Sequence, residues 1–226
     1  MSVAQNSVTL SIIGSAGRGA DADKMSGEVF ERAVCKATRF IKNKNIDIDN
    51  LVLVSGGSAW CDHVAVRLFL EKIHFPITSF DISCDNVKVK QFQGLVLHLP
   101  CAFLDTGRFD NSVCGRILNE LHDEFNAKMN LNNDSHFDSF SDILAAIHLG
   151  AEVVVTNGFS GRNARVAESD YVLAFSWHAN EAELLRSGGG TAQTYEMAKG
   201  KKRNCYHITL IAPLVKDVNA WFCKKS

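Results

Sequence analysis

Gly188-Gly-Gly-Thr-Ala-Gln-Thr194 stand between the apolar run Tyr171-Val-Leu-Ala-Phe175 and the helical pattern of Tyr195, Glu196, Met197 and Ala198. A glycine run at a strand-to-helix junction lets backbone N–H groups approach an anion, and the helix N-terminus behind it favours negative charge. The chemistry predicted for Gly188, Gly189, Gly190 and Thr191 is therefore the holding of a phosphate-bearing ligand. Two further glycine turns also follow apolar runs: Gly14-Ser15-Ala16-Gly17-Arg18-Gly19 after Val8–Ile13, and Ser55-Gly56-Gly57-Ser58 after Leu51–Val54. The first lacks the dinucleotide GxGxxG spacing, and no GxxxxGK[ST] phosphate loop is present. That turn reads equally as a tight bend needing positive φ, and Arg18 as a phosphate clamp or a solvated charge.

Three polar groupings surround these turns. Asp62 and His63 open the helix after the second glycine turn, where a carboxylate caps free N–H groups; His63 reads as a surface histidine. Cys61, Asp62 and His63 cannot act as a nucleophile-and-base set, because adjacent helical side chains do not face one another. Arg116, Asn119, His122 and Asp123 recur every three to four residues as one polar stripe, either solvated or functional. Arg162, Asn163 and Arg165 crowd the approach to the strand at 171, and a guanidinium there suits bidentate recognition of phosphate or carboxylate. No His, Cys, Asp and Glu set has metal-ligand spacing, so no metal site and no cofactor are expected.

The elements that must position these residues alternate strand and helix. Apolar runs mark strands at Val8–Ile13, Leu51–Val54, Gly94–Leu99, Glu152–Val155, Tyr171–Phe175 and Tyr206–Ile211. Helical periodicity marks Ser26–Lys42 with Val29, Phe30, Val34, Ala37 and Ile41 on one face, and Cys61–Ile73 with Val64, Ala65, Leu68 and Phe69. It also marks Ser112–Asn130, with Val113, Ile117, Leu121 and Phe125, and Ser139–Leu149 closed by Gly150. This alternation predicts an α/β fold: a Rossmann-like, doubly wound, mostly parallel sheet with helices on both faces, in a single domain. Residues 101–150 form a helical insertion. Ligands of such sheets bind at the carboxyl ends of the strands, where all three glycine turns are expected.

The 226 residues suffice for one sizeable core, and a formal net charge of −1 offers no global field for nucleic acid or anionic membrane. Lys199–Arg203 and Lys224-Lys225 read as a solvated loop and a frayed tail. Seven cysteines, at 35, 61, 84, 101, 114, 205 and 223, are scattered and form no CxxC pair, as expected for reduced packing residues. No signal peptide and no run of about 20 apolar residues is visible, so a cytoplasmic protein without membrane contact is expected.

Together these motifs resemble the SLOG superfamily of Rossmann-like domains, which includes the LONELY GUY phosphoribohydrolases and the DprA-type proteins. The resemblance looks closest to the YspA/YpsA-related branch. It rests on Val52-Leu-Val-Ser-Gly-Gly-Ser-Ala-Trp-Cys-Asp62 with Val64-Ala65, on Gly161–Glu168 with Ser169–Phe175, and on Gly189-Gly-Thr-Ala192. It covers residues 8–70 and 150–212 in order; Leu118–His122 adds a weaker likeness. In the phosphoribohydrolases an arginine and the glutamate of PGGxGTxxE serve N-glycosidic cleavage. Arg162 matches that arginine, but Thr194 stands at the glutamate position, the proline is missing, and Trp177–Ser187 is inserted before the glycines. Glu196, two residues on, points about 200° away around a helix.

The resemblance implies a nucleotide or nucleotide-derived ligand that is bound as by a sensor or sequestering protein. Its phosphate is expected on the amides of Gly188–Thr191 with the Thr191 hydroxyl donating. Gly14, Ser15, Gly17, Gly56, Gly57 and Ser58 would flank it, with Asp62, Asn119 and Asn163 as further contacts, Arg162 for charge, and Trp177–Ser187 as a lid. The alternative is an N-glycosidic hydrolase in which Arg162 acts with Glu196, Asp62 or His122 as acid or base. A DprA-like single-strand-binding protein is a third reading, disfavoured by the near-neutral charge. Many such folds pair through helices, so a homo-oligomer is also carried as an expectation.

Overall fold

The computed structural model describes residues 7–71, 92–131 and 136–211. Six strands form one all-parallel sheet: β1 (Val8–Gly14), β2 (Leu51–Ser55), β3 (Gly94–Leu99), β4 (Glu152–Val155), β5 (Tyr171–Ser176) and β6 (Asn204–Thr209), in the order β4-β3-β2-β1-β5-β6. The helices are α1 (Gly27–Asn43), α2 (His63–Leu70), α3 (Val113–Asn130), α4 (Ser139–His148), α5 (Gly158–Val166), α6 (Glu181–Ser187) and α7 (Gly189–Gly200). Cys84, Cys223, Lys224-Lys225 and the end of the second helix at Ile73 lie outside the described residues.

The period-2 alternation of strand side chains sorts the apolar residues into two cores. Leu10 and Ile12 of β1, Leu51 and Leu53 of β2, and Leu173 and Phe175 of β5 face the larger core, with α1, α2, α3 and α4. Ile13, Val54, Val172 and Ala174 face the smaller one, with Val166, Leu184, Ala192, Tyr195 and Ala198 of α5, α6 and α7. A strand buried on both faces must be apolar almost throughout, which is why β2 and β5 read as nearly continuous runs, while β1 carries Thr9 and Ser11 between its apolar residues. The chain passes outward from β1 to β4, then returns to lay β5 along the other side of β1, pairing Gly14 with Phe175. That reversal between β1 and β5 opens a crevice at the carboxyl ends of the two strands.

Several expectations are corrected. The segment carrying Arg162, Asn163 and Arg165, for which the sequence pattern sets no element, is helix α5 (Gly158–Val166), needed to cross over from β4 to β5 in a parallel sheet. Trp177–Ser187 holds α6, whose N-cap Asn180 accepts from the Glu183 amide at 3.0 Å while Glu183 accepts from the Ala179 amide at 3.0 Å. That reciprocal capping is legible in Asn180-Glu-Ala-Glu183. Strand β4 lies at the sheet edge, and Val155 is 56% exposed, so its apolar run does not mark a buried strand. In α3 the buried face is Leu118, Leu121, His122, Phe125 and Met129, while the expected Val113 is exposed. Strand β6 begins two residues earlier than its apolar run, because pairing with β5 draws Asn204 and Cys205 into the ladder.

Candidate ligand-binding cleft

A cleft of about 760 Å³ lies at the β1/β5 crevice, within the range of small-molecule sites. Its walls come from the turn after β1 (Gly14, Ser15, Arg18), from Ser58 and Asp62 before α2, from α5 (Phe159, Arg162, Asn163), and from the start of α7 (Gly188–Thr194) with Glu196. Segments more than 170 residues apart in sequence thus converge on one site.

The turn after β1 can be built only with glycine at 14: a Cβ there would meet the Phe175 carbonyl and lie 2.6 Å from Cys61 Cβ. Close packing of β1 on β5 and α2 depends on that missing methyl. Gly56 is likewise the space into which Arg162 reaches; a Cβ at 56 would run into its guanidinium and lie 2.6 Å from Asp62 Oδ2. Gly17 and Gly57 both have φ of +70°, packed on Trp60 and Leu99 respectively. These two shape their turns from behind the cleft wall and do not line it.

Gly188 ends α6 and precedes α7, with φ +69° and no side-chain cap on the α7 N-terminus. Gly189 follows at φ +82°, and a Cβ on either residue would stand in open space. The glycines are therefore required by backbone conformation, and their openness leaves the first amides of α7 accessible from the cleft. The extra helix α6 means that this run joins helix to helix, not strand to helix. The Thr191 hydroxyl is already committed: it donates to the Gly14 carbonyl at 2.8 Å, clasping α7 to the end of β1. Thr194 turns its hydroxyl back to the Gly190 carbonyl at 2.8 Å.

Arg162 holds a buried ion pair at the cleft wall. Its Nη1 donates to Asp62 Oδ2 at 2.9 Å and to the Gly56 carbonyl at 3.0 Å, and its Nε is buried without a partner. The expected capping role of Asp62 is not seen: no side-chain cap bond forms, and the carboxylate turns to the arginine. Burial raises the Asp62 carboxyl above the usual carboxylate range, while Arg162 and backbone N–H groups of Ser58 and Gly14 pull it the other way. Asn163 donates to Gln193 Oε1 at 3.0 Å, tying α5 to α7 across the cleft floor. Ser15 donates to Asp21 Oδ2 at 2.8 Å and accepts from the Gly17 amide at 3.3 Å.

Two expected site residues stand apart from the cleft. Asn119 brackets Phe109, accepting from its amide and donating to its carbonyl, each at 3.0 Å. His122 is fully buried, its Nδ1 2.8 Å from Ser139 Oγ and its Nε2 3.2 Å from the Gly57 carbonyl. Burial, followed by the neighbouring His63, pushes the His122 pKa down to about 3. It supports the Gly56-Gly57 turn from the rear. His63 is buried as well, not on the surface, with Nε2 3.1 Å from Asp142 Oδ2. Trp177 packs partly buried on the larger core and does not line the cleft, and α6 contributes Leu184 and Leu185 to the cleft wall. Glu196 lines the cleft from an exposed position on α7.

Sequence reasoning passed over Phe159 and Gln193, both cleft-lining. Phe159, Arg162 and Asn163 fall at i, i+3 and i+4, a spacing that becomes a signal only once 158–166 is seen as a helix.

Over 207 residues the chain is 36% identical to uncharacterized protein R261 of Acanthamoeba polyphaga mimivirus, a match covering 90% of this chain and 96% of the viral protein. This chain belongs to the family of that viral protein. No family model matches the chain. No solved structure matches it either. Among the described residues no helix is long and apolar enough to cross a membrane.

Proposed function

We propose that this protein binds a nucleotide or nucleotide-derived ligand in the β1/β5 cleft, as a sensor or sequestering protein, and that it is a member of the SLOG superfamily. The observation that carries the reading is the uncapped N-terminus of α7, with its open glycines 188 and 189, in the same cleft as the Arg162 guanidinium. Accessible first-turn amides, the positive end of a twelve-residue helix and a nearby guanidinium supply the donors that a phosphate requires. Near-neutral net charge suits a small anionic ligand better than a nucleic-acid backbone, whose binding rests on a basic groove.

The test is a thermal-shift screen against ribonucleotides, followed by chromatography of the bound material. A rise in Tm with recovery of intact nucleotide supports binding, since a ligand held only by the folded state stabilises it by mass action. Absence of any shift across the panel at millimolar concentration would overturn the reading.

One observation favours a second reading, N-glycosidic hydrolysis of a nucleoside phosphate: Asp62 lies 2.9 Å from Arg162 at the cleft wall. A carboxyl raised by burial is suited to donate a proton to a departing base, and Arg162 would hold it in place. Thr194 and the exposed Glu196 do not replace it, since Thr194 is tied to Gly190. Free base released by the wild type and lost in Asp62→Asn would establish hydrolysis; intact nucleotide after prolonged incubation would rule it out.

A further inference from the structure

Arg18 stands at the cleft in an arrangement that one phosphate on α7 leaves unused. The guanidinium carbons of Arg18 and Arg162 lie 5.5 and 5.4 Å from the centroid of the same Phe159 ring. They are therefore no more than about 11 Å apart. Arg162 is already paired with Asp62. Among the described residues Arg18 has no carboxylate partner, and Asp21, the other acid of this wall, is engaged by Ser15 and Lys24. Around Phe159 two guanidinium groups thus face one carboxylate, Asp62, while Glu196 lines the cleft from an exposed position on α7. Partial burial lowers the Arg18 pKa, Arg162 lowers it further, and Asp62 only partly offsets them. Arg18 is exposed at the cleft, and an anion placed between it and Arg162 relieves the repulsion of two like charges.

The same helix links this charged pair to the first anion position. Arg162 and Asn163 follow Phe159 by about one turn of α5, roughly 5.4 Å of axial rise. Asn163 reaches α7: its Nδ2 would lie 3.7 Å from a Cβ at Gly190, and it donates to Gln193. Thr191 fastens the other side of the α7 N-terminus to the turn that leads into Arg18. One wall therefore runs without a break from the α7 amides, past Asn163 and Arg162, to Phe159 and Arg18.

Resting on the ligand-binding reading above, we propose that the cleft takes a ligand with two linked phosphoryl groups, of the nucleoside diphosphate class. One phosphoryl group sits on the first amides of α7, and the second sits between Arg18 and Arg162. Phe159 spaces the two guanidinium groups and keeps Arg18 turned into the cleft.

The experiment compares AMP with ADP, the guanosine, cytidine and uridine pairs, and inorganic phosphate with pyrophosphate, by isothermal titration calorimetry at fixed ionic strength. For a base that binds, the diphosphate is expected at least about tenfold tighter than the monophosphate, as for added charge-assisted hydrogen bonds. Arg18→Gln brings that ratio close to one, and Arg18→Lys, which keeps the charge but loses the planar fork, leaves it in between. Equal affinity for monophosphate and diphosphate overturns this inference and leaves nucleotide binding standing. A diphosphate preference that survives Arg18→Gln also overturns it. Arg18-dependent binding of pyrophosphate with no binding of any nucleotide sustains the paired anion positions and overturns the nucleotide reading. Silence from every probe overturns both.

Discussion

At the scale of single residues, the site is governed by one buried ion pair and by glycines that leave room for it. Arg162 and Asp62 are about 11% and 8% exposed in their side chains, and each satisfies the other's charge. Removing one partner strands the other away from water, so Arg162→Ala is expected to cost about 3–5 kcal/mol, read from urea unfolding midpoints. Arg162→Lys keeps the charge, and with one ammonium in place of a fork it should lose ligand affinity while recovering much of that stability. Gly189 makes a separate point. Its φ of +82° strains any side chain, and a Cβ there would meet nothing in the protein. Gly189→Val should therefore cost about 1–2 kcal/mol in stability and also weaken ligand binding, because the added bulk stands over the α7 amides. Calorimetric titration of the variant with the best nucleotide of the thermal-shift screen checks the second effect.

At the scale of elements, α7 is useful because of what holds its first turn. Thr191 clasps it to β1 and Asn163 braces it from α5 through Gln193. Thr191→Val deletes the clasp with little change of shape and leaves the Gly14 carbonyl without that donor. A loss of about 1–2 kcal/mol in stability is expected, together with weaker binding of the same nucleotide because the amides lose their fixed position. Helix α6 went unread in Trp177–Ser187 although Asn180-Glu-Ala-Glu183 carries a capping pattern, and its position as a wall could not be read at all, since capping fixes where a helix starts and says nothing of what it packs on. Helix α3 shows the converse. Its sequence places apolar residues at helical spacing on more than one face, and packing on α4 and on His63 of α2 selects Leu118, Leu121 and Phe125 and turns His122 inward.

At the scale of the whole molecule, two buried titrating groups make opposite contributions to the pH dependence of folding. His122 has a pKa of about 3 when folded against 6.5 for an ordinary histidine, so between those values the unfolded chain binds more protons. Its contribution is complete above pH 6.5 and is lost as pH falls towards 3, on the order of 5 kcal/mol in all. Asp62 is raised, so its contribution is present below about pH 3.9 and is lost as pH rises through its folded value. In urea unfolding from pH 7 to pH 4 the wild type should therefore lose stability relative to His122→Gln. His122→Gln should be less stable at pH 7, having lost the ring that supports Gly57, and should show a distinctly shallower slope across that window. An unchanged slope would exclude His122 as a source of the acid sensitivity.

The glycine turns, the buried strands β1, β2 and β5 and the inward face of α1 were determined by the sequence alone. Each depends on local properties: a φ that only glycine adopts cheaply, an apolar run too short for a helix, or a 3.6-residue period. The α/β class followed from their alternation. Tertiary structure decided the rest. That Asp62 meets Arg162 from 100 residues away, that β4 lies at an edge, that His63 and His122 are interior, and that Thr191 serves β1 all depend on which strand neighbours which. Strand order fixes distances between segments that share no local pattern, and the two-sided cleft exists only because β5 returns to the far side of β1.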